Sequence, residues 1–167
     1  MRTPGTWFIA LVLLLMPPLA TASHAGSFTT GSAAYGRGDY VRAANILLPL
    51  AERGHPRAQT LIGFMFATGR GVPQSYQAAS YWYHLSAEQG DVQAQALLGL
   101  MYDKGHGVPL DTVLAYKWLN LAAAAAPKRE RDYYERLRNA VASKMTRWQI
   151  AEGQALALAF VPRRPPF

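Results

Sequence analysis

The chain has no cysteine among its 167 residues. Disulfides, lipoprotein attachment and cysteine-containing metal sites are therefore excluded, and stability has to come from packing alone. β-branched residues are sparse, and apolar and polar residues nowhere alternate over the length of a strand. Because that alternation is the usual sign of a half-buried strand, the sequence predicts an all-α fold.

Acidic side chains are also few: 10 Asp and Glu stand against 17 Lys and Arg, which gives a formal net charge of +7. The excess lies at the C-terminal end, where residues 128–167 carry nine basic and four acidic side chains. Such a field is typical of a solvated helix face, or of contact with an anionic surface such as lipid headgroups or an acidic polymer. We assign any such contact to the basic residues of 128–164.

Residues 1–25 have the organisation of a secretory signal peptide. Arg2 precedes an apolar run from Trp7 to Met16, prolines end the run, and small residues follow. The run is too short to cross the ~30 Å hydrocarbon core of a bilayer, which disfavours a membrane anchor. We expect cleavage after Ala22 or Ala25 and an exported protein, periplasmic or secreted. Export in turn disfavours nucleic acid as a partner.

Two segments of the chain repeat each other at an interval of 36 residues. A period of this size predicts a solenoid, in which each unit buries its apolar face against its neighbours. Proteins of this architecture usually bind other molecules rather than catalyse. The repeated positions are Gly54, Ala58, Gln59, Gly63, Gly69, Gly71, Val72 and Pro73 in the first copy, and Gly90, Ala94, Gln95, Gly99, Gly105, Gly107, Val108 and Pro109 in the second.

Apolar periodicity and capping residues predict a series of helices. Asp39, Ser75 and Asp111 occupy one register before apolar-periodic stretches, where their side-chain oxygens can cap a first helical turn. Gly54 and Gly90 are expected to end two of the helices, because glycine adopts the left-handed conformation of a C-cap without strain. The predicted helices cover about residues 40–53, 56–68, 76–89, 92–104, 112–125, 128–144 and 147–160. The apolar spacing assigns to the buried faces of the last two helices Tyr133, Tyr134, Leu137, Ala140 and Val141, and Trp148, Ile150, Leu156 and Leu158.

Small residues inside these helices predict close helix packing. Gly63 and Gly99 each cost ~1 kcal/mol relative to alanine in a helix, so a compensating contact is expected. The recurring alanines Ala43, Ala79 and Ala115 would allow neighbouring helices to approach. We interpret the aromatic residues nearby as core. The positions to which we assign a structural role are Gly63, Gly69, Gly71, Trp82, Gly99, Tyr102, Gly105, Gly107 and Trp118.

The two copies resemble the Sel-one-like repeat, a relative of the tetratricopeptide repeat. The pattern A-x-x-L-G-x-x-Y followed by G-x-G-V is matched in the second copy by Leu98, Gly99 and Tyr102, whereas the first copy has Ile62 and Phe66 in place of leucine and tyrosine. Flanking segments are similar to those of short exported members of this family, so the resemblance covers nearly all of residues 26–160.

This resemblance implies a short right-handed α-α superhelix. Residues 26–127 would form helix pairs, residues 128–161 a C-terminal helical cap, and residues 162–167 a flexible tail. The concave face of a monomer would bind a protein or peptide partner in the cell envelope. In the related tetratricopeptide geometry, the groove residues are Arg57, Thr60, Phe64, Gln93, Ala96 and Leu100.

No catalytic, cofactor-binding or metal-binding set is predicted. The spacing of His55, His84 and His106 gives no shared helical face, and the two G-x-G segments do not follow strands, so they are interpreted as helix-connecting turns. No serine after residue 25 is followed three residues later by lysine. Two alternatives stay open: a cell-wall or carbohydrate-active hydrolase, which requires two carboxylates across a cleft, and a regulator of an envelope signalling receptor.

Overall fold

A computed structural model of the protein describes residues 27–163. The signal peptide prediction and the last four residues of the expected tail lie outside this range. Within it the chain forms eight α-helices and no strand, which confirms the all-α prediction. The helices are α1 Phe28–Gly36, α2 Tyr40–Glu52, α3 Pro56–Thr68, α4 Tyr76–Glu88, α5 Val92–Lys104, α6 Thr112–Ala125, α7 Lys128–Ala142 and α8 Arg147–Leu158.

The ends of the helices follow the capping residues closely. The side chains of Asp39, Ser75 and Asp91 accept from the backbone N–H three residues later, as in a standard N-cap. Gly54 and Gly90 follow the ends of α2 and α4 with φ of 94° and 89°. Glycine adopts this left-handed region more easily than other residues do, so the predicted helix ends agree with the structure.

Three further helices begin at N-caps, of which the one at His55 was not predicted. Asp111 Oδ1 accepts from the backbone N–H groups of Val113 and Leu114, each at 2.9 Å. Thr146 forms a capping box with Gln149 at the start of α8. His55 caps α3 through Nδ1, an unexpected use of histidine at a position where aspartate stands in the next repeat.

Each helix from α1 to α6 packs on the next one in the chain, as expected of a solenoid. The C-terminal cap departs from this order, because α7 and α8 both pack against α6. No helix within residues 27–163 has the length and apolar character needed to cross a membrane.

The internal glycines sit at close helix contacts, as predicted. A Cβ atom at Gly63 would lie 2.7 Å from the Tyr83 ring and 3.2 Å from the carbonyl oxygen of Ala79. One at Gly99 would lie 2.8 Å from Leu119 Cγ and 3.0 Å from the carbonyl oxygen of Ala115. The close contacts of α3 with α4 and of α5 with α6 therefore depend on glycine, which has no side chain at these positions.

The buried face of α7 differs from the one that its apolar spacing predicts. Tyr134 and Val141 are buried, but Tyr133 is 53% exposed and Ala140 is also exposed. Tyr133 precedes Tyr134 directly, and adjacent helical positions point about 100° apart, so only one of the two can face α6. Tyr133 points instead toward the hollow of the solenoid.

The last helix also buries different residues from those expected. Trp148 and Leu158, assigned to its apolar face, are 86% and 88% exposed, whereas Gly153 and Ala157 are buried. A Cβ atom at Gly153 would lie 2.8 Å from the Tyr116 ring. Because α8 approaches α6 this closely, small residues form the contact and the large ones are left outside.

The beginning of the expected tail is packed on the protein. Pro162 lies beside Gly90, and the backbone N–H of Arg163 donates to the carbonyl oxygen of Glu88 at 2.7 Å. Helix α8 ends at Leu158, and residues 160–163 are not helical. This non-helical segment is nevertheless docked on the protein.

Candidate functional site: two grooves between helices

A groove of about 360 Å³ opens on the side of the molecule formed by α1, α3, α5 and α7. We call it the concave groove. All six residues predicted from the tetratricopeptide geometry lie along it, and α1 and α7 contribute the remaining ones. Its lining is Phe28, Arg57, Thr60, Leu61, Phe64, Gln93, Ala96, Leu97, Leu100, Tyr133, Tyr134 and Leu137.

The six predicted residues occupy different parts of the concave groove. Thr60 and Ala96 are buried in its floor, Phe64 and Leu100 are half-buried in its walls, and Arg57 and Gln93 are exposed at its rim. The two pairs Thr60–Ala96 and Phe64–Leu100 are separated by 36 residues. The repeat therefore places side chains of one register along a single surface, although whether they bind a partner stays a prediction.

The hydroxyl of Thr60 is already used within the protein. It lies 2.8 Å from Ser86 Oγ and donates to Asp91 Oδ1 at 3.1 Å. The same carboxylate oxygen caps α5 by accepting from the backbone N–H of Ala94. Thr60 thus joins three helices. The polar side chains that remain in the concave groove are those of Arg57, Gln93, Tyr133 and Tyr134.

The two ends of the concave groove were missed by sequence reasoning. Phe28 belongs to a first helix that lies outside the repeats, and Tyr133 and Leu137 belong to the cap, whose apolar residues were assigned to the core. Spacing could have suggested them, because Tyr133 and Leu137 are four residues apart and so share a face of α7.

The electrostatic character of the concave groove is cationic at one end and neutral elsewhere. No aspartate or glutamate lines it, and the guanidinium of Arg57 lies 4.6 Å from the centroid of the Phe28 ring. Burial raises the pKa of Tyr134, so its hydroxyl stays protonated at neutral pH. An apolar segment with an acidic residue at one end fits such a surface.

A second groove, of about 430 Å³, lies on the other helices of the repeats, between α2 and α4. We call it the α2–α4 groove. It carries two carboxylates, Glu52 and Glu88, and the Nε of Arg163 lies 3.0 Å from Glu88 Oε2. Its lining is Ala51, Glu52, Gly54, Gln59, Tyr81, Trp82, His84, Leu85, Glu88, Gln89 and Arg163.

These carboxylates bear on the hydrolase alternative. A glycosidase needs an acid and a second carboxylate free to reach the substrate, yet Glu88 is held by an arginine. Three further acidic residues are also engaged: Asp91 and Asp111 cap helices, and Asp103 accepts from Lys144 Nζ at 2.8 Å. The described part of the chain thus gives the hydrolase reading no specific support.

The three histidines are each engaged separately. His55 stacks on Phe28 and His106 on Tyr76, with ring centroids 5.2 Å and 4.7 Å apart, and His84 is an exposed residue of α4. Within residues 27–163 no group of three histidine, aspartate or glutamate side chains could hold a metal ion.

The G-x-G segments are turns that pack on the start of an earlier helix. Gly69 and Gly105 end α3 and α5 in the left-handed conformation. A Cβ atom at Gly71 or Gly107 would collide with the backbone carbonyl of Tyr40 or Tyr76. They have the helix-connecting role that was predicted.

The basic residues of the C-terminal part are partly committed to internal contacts. Lys144 pairs with Asp103, Arg163 with Glu88, and Arg138 donates to Asn120 Oδ1 at 3.3 Å. Contact of residues 128–164 with an anionic surface stays a prediction.

Comparison with known proteins identifies the repeats. The family model described as Sel1 repeat matches residues 56–91 and 92–126. The crystal structure of c5321, described as a protective antigen present in uropathogenic Escherichia coli strains displaying an SLR fold, superposes with a TM-score of 0.74 at 26% identity, over 84% of this chain and 31% of that one. A Sel1 repeat protein from Oxalobacter formigenes superposes with a TM-score of 0.64 at 28% identity, over 81% of this chain and 56% of that one. No curated protein matches the chain.

Both solved structures are longer than this chain, which spans about a third of the first and just over half of the second. They share its fold of stacked helices and confirm the resemblance read from the repeats. Sel1-repeat proteins are generally scaffolds for protein–protein interaction and generally lack enzymatic activity.

Proposed function

We propose that this chain, a Sel1-repeat protein whose two repeats lie inside a solenoid of helices, is an exported scaffold that binds a protein or peptide partner in its concave groove. Export rests on the organisation of residues 1–25. A partner in the cell envelope follows from export, and a signalling receptor of the envelope is one kind of partner that this location would supply.

The observation that carries the proposal is the convergence of half-buried apolar side chains on one open surface. Phe64 and Leu100 come from the two repeats, Phe28 from α1, and Leu137 from α7, so four helices present them to one groove. An apolar surface of this kind is unfavourable in water and marks a contact site when it is continuous.

The charges around the concave groove define the partner further. Since no acidic side chain lines it and Arg57 is exposed at its rim, it suits an apolar segment that carries a carboxylate. The apolar part would supply affinity by burial, and the carboxylate would fix its direction.

The test is capture of partners from an envelope extract with the wild-type chain and with Phe64→Glu. A buried carboxylate in the groove wall should abolish capture, because an unpaired charge strongly disfavours binding. Val41→Glu is the matched control, because Val41 is 64% exposed on α2 and does not line the groove. Equal capture by wild type and Phe64→Glu, with both chains folded by circular dichroism, would contradict the proposal.

A further inference from the structure

The α2–α4 groove has a counterpart one repeat later, between α4 and α6, which we call the α4–α6 groove. Glu52, Gly54 and Trp82 in the first correspond to Glu88, Gly90 and Trp118 in the second, at the interval of 36 residues. Because repeats of a solenoid stack with the same local geometry, the two grooves offer equivalent contacts.

The α4–α6 groove is filled by the chain itself, with the segment that follows α8. The ring of Phe160 packs edge to face on Trp118, with centroids 5.5 Å apart. Pro162 lies against Gly90, where a Cβ atom would come within 3.6 Å of it. Residues 160–163 thus show what this kind of groove accepts: a non-helical segment with an aromatic residue and a proline two positions later.

Arg163 completes the docking of this segment with two contacts to one residue. Its backbone N–H donates to the carbonyl oxygen of Glu88 at 2.7 Å, and its Nε lies 3.0 Å from Glu88 Oε2. A helix leaves its last carbonyls without intrahelical partners, so the end of α4 supplies both an acceptor and a charge. The negative end of the helix dipole adds to the attraction for arginine.

The end of α2 offers the same two acceptors to the α2–α4 groove. Glu52 is exposed there, and within residues 27–163 its carboxylate forms no ion pair and its carbonyl accepts no bond outside the helix. Trp82 is half-buried beside it, as a surface on which a ring can pack. The groove keeps an open volume of about 430 Å³ next to these groups.

We propose that the α2–α4 groove binds an extended segment of another polypeptide with the pattern Phe-x-Pro-Arg. The aromatic ring packs on Trp82, the proline lies on Gly54, and the arginine binds the carbonyl and the carboxylate of Glu52. This site is separate from the concave groove, so the two can be tested independently.

One difference between the grooves bears on the aromatic position. Tyr81, which is 58% exposed, stands where the second groove has Lys117, whose Nζ lies 5.6 Å from the centroid of Phe160. The replacement adds a ring and removes a cation. The α2–α4 groove therefore offers a larger aromatic surface to the incoming ring.

The probe is a fluorescently labelled peptide, acetyl-Ala-Phe-Val-Pro-Arg-amide, added to the full chain and followed by fluorescence anisotropy. Saturable binding to the α2–α4 groove is expected. The peptide should not displace the chain's own segment from the α4–α6 groove, because that segment is tethered and has a high effective concentration there. Glu52→Lys should weaken binding by about tenfold, through loss of the ion pair and repulsion of the arginine. Replacing the phenylalanine of the peptide by alanine should weaken it by at least about tenfold.

Phe64→Glu is the matched control, because it alters only the concave groove and should leave peptide binding unchanged. Glu52 is exposed, so Glu52→Lys is expected to fold, and circular dichroism verifies this. Absence of saturable binding, or equal affinity of wild type and Glu52→Lys, would overturn the proposal.

Two other occupants give distinct results. If a chain that ends at Arg163 binds the peptide about tenfold more tightly than the full chain, residues 164–167 hold the groove and no partner is needed. If sedimentation shows a dimer that the peptide dissociates, the occupant is the terminal segment of a second copy. Either result would refute binding of a different polypeptide, whereas unchanged affinity in the shortened chain and a monomer would support it.

Discussion

The two repeats, residues 56–91 and 92–126, share a backbone plan but differ in how their buried polar groups are satisfied. In the first, the Nε2 of Gln59 donates to the carbonyl of Ala51 and its Oε1 accepts from Gln89 Nε2 at 2.7 Å. In the second, Gln95 Nε2 donates to the carbonyl of Ala87, but its Oε1 is buried without a partner. In the first repeat the acceptor without a partner is Gln89 Oε1 instead.

The reason lies at the end of the second helix of each repeat. Gln89 stands at the end of α4, and the residue 36 positions later, at the end of α6, is Ala125. Alanine has no donor to offer. The comparison shows that the buried glutamine of the first repeat is satisfied by a side chain at the end of the same repeat, and that the second repeat has alanine at the equivalent position.

The largest effect is expected where both repeats make the same backbone contact. Alanine at Gly71 or Gly107 combines a positive φ, of 74° or 71°, with a collision against the carbonyl of Tyr40 or Tyr76. Each substitution should lower the free energy of unfolding by about 3 kcal/mol, measured by urea denaturation. The two values should agree within about 1 kcal/mol, because the two turns are equivalent.

Gly36→Ala provides the control for this comparison. A Cβ atom there would meet nothing within 4 Å, and the position is helical. The substitution should be neutral or should stabilise by up to about 1 kcal/mol. If Gly107→Ala were as harmless as Gly36→Ala, the packing of the turn on α4 would be wrong.

Capping residues and glycines were sufficient to predict the helices of the repeats, and the resemblance to tetratricopeptide repeats predicted one side of the concave groove. The caps Asp39, Ser75 and Asp111 and the glycines after α2 and α4 fixed the helix bounds to within about two residues, because caps act through bonds within one turn. The six groove residues were named from the tetratricopeptide geometry that the resemblance implies, and they lie along one groove because a repeat places one register on one face.

The cap and the terminal segment could not be predicted in this way. Tyr133 faces the groove and Trp148 faces solvent because of where α6 lies, and that is a property of tertiary packing rather than of periodicity. The docking of Pro162 and Arg163 depends on contacts with α4, about 70 residues earlier in the chain, which no local pattern reports.

An intermediate effect is expected at the two glutamines. Gln59→Leu removes a buried hydrogen bond to Gln89 Nε2 and should destabilise by about 1–2 kcal/mol in urea denaturation. Gln95→Leu removes an acceptor that has no partner, so it should be neutral or stabilising. The carbonyls of Ala51 and Ala87 each keep a backbone donor in both variants.

The test is whether the two substitutions change the free energy of unfolding differently. Equal losses of stability in Gln59→Leu and Gln95→Leu would show that the two glutamines are equivalent, and the contrast between the repeats would fail. A double variant of Gln59 and Gln89 should destabilise by less than the sum of the single ones, because the two residues share a bond.

The smallest effect is a loss of stability in alkaline solution. It distinguishes the two repeats by the residue that packs against the glycine inside α3 or α5. Tyr83 fills this position against Gly63, while the second repeat has Leu119 against Gly99. Burial raises the pKa of Tyr83 above its usual value, so the folded protein favours the protonated phenol. Its contribution to stability is therefore complete below about pH 10 and is lost progressively above it.

Tyr83→Phe should reduce this loss, since phenylalanine keeps the ring and cannot ionise. The measurement is the free energy of unfolding by urea at pH 8 and at about pH 11 for both chains. Burial also raises the pKa of Tyr102 and Tyr134, so some alkaline loss should persist in the variant. A variant with the same pH dependence as wild type would place the alkaline sensitivity in those two residues, outside the contact of α3 with α4.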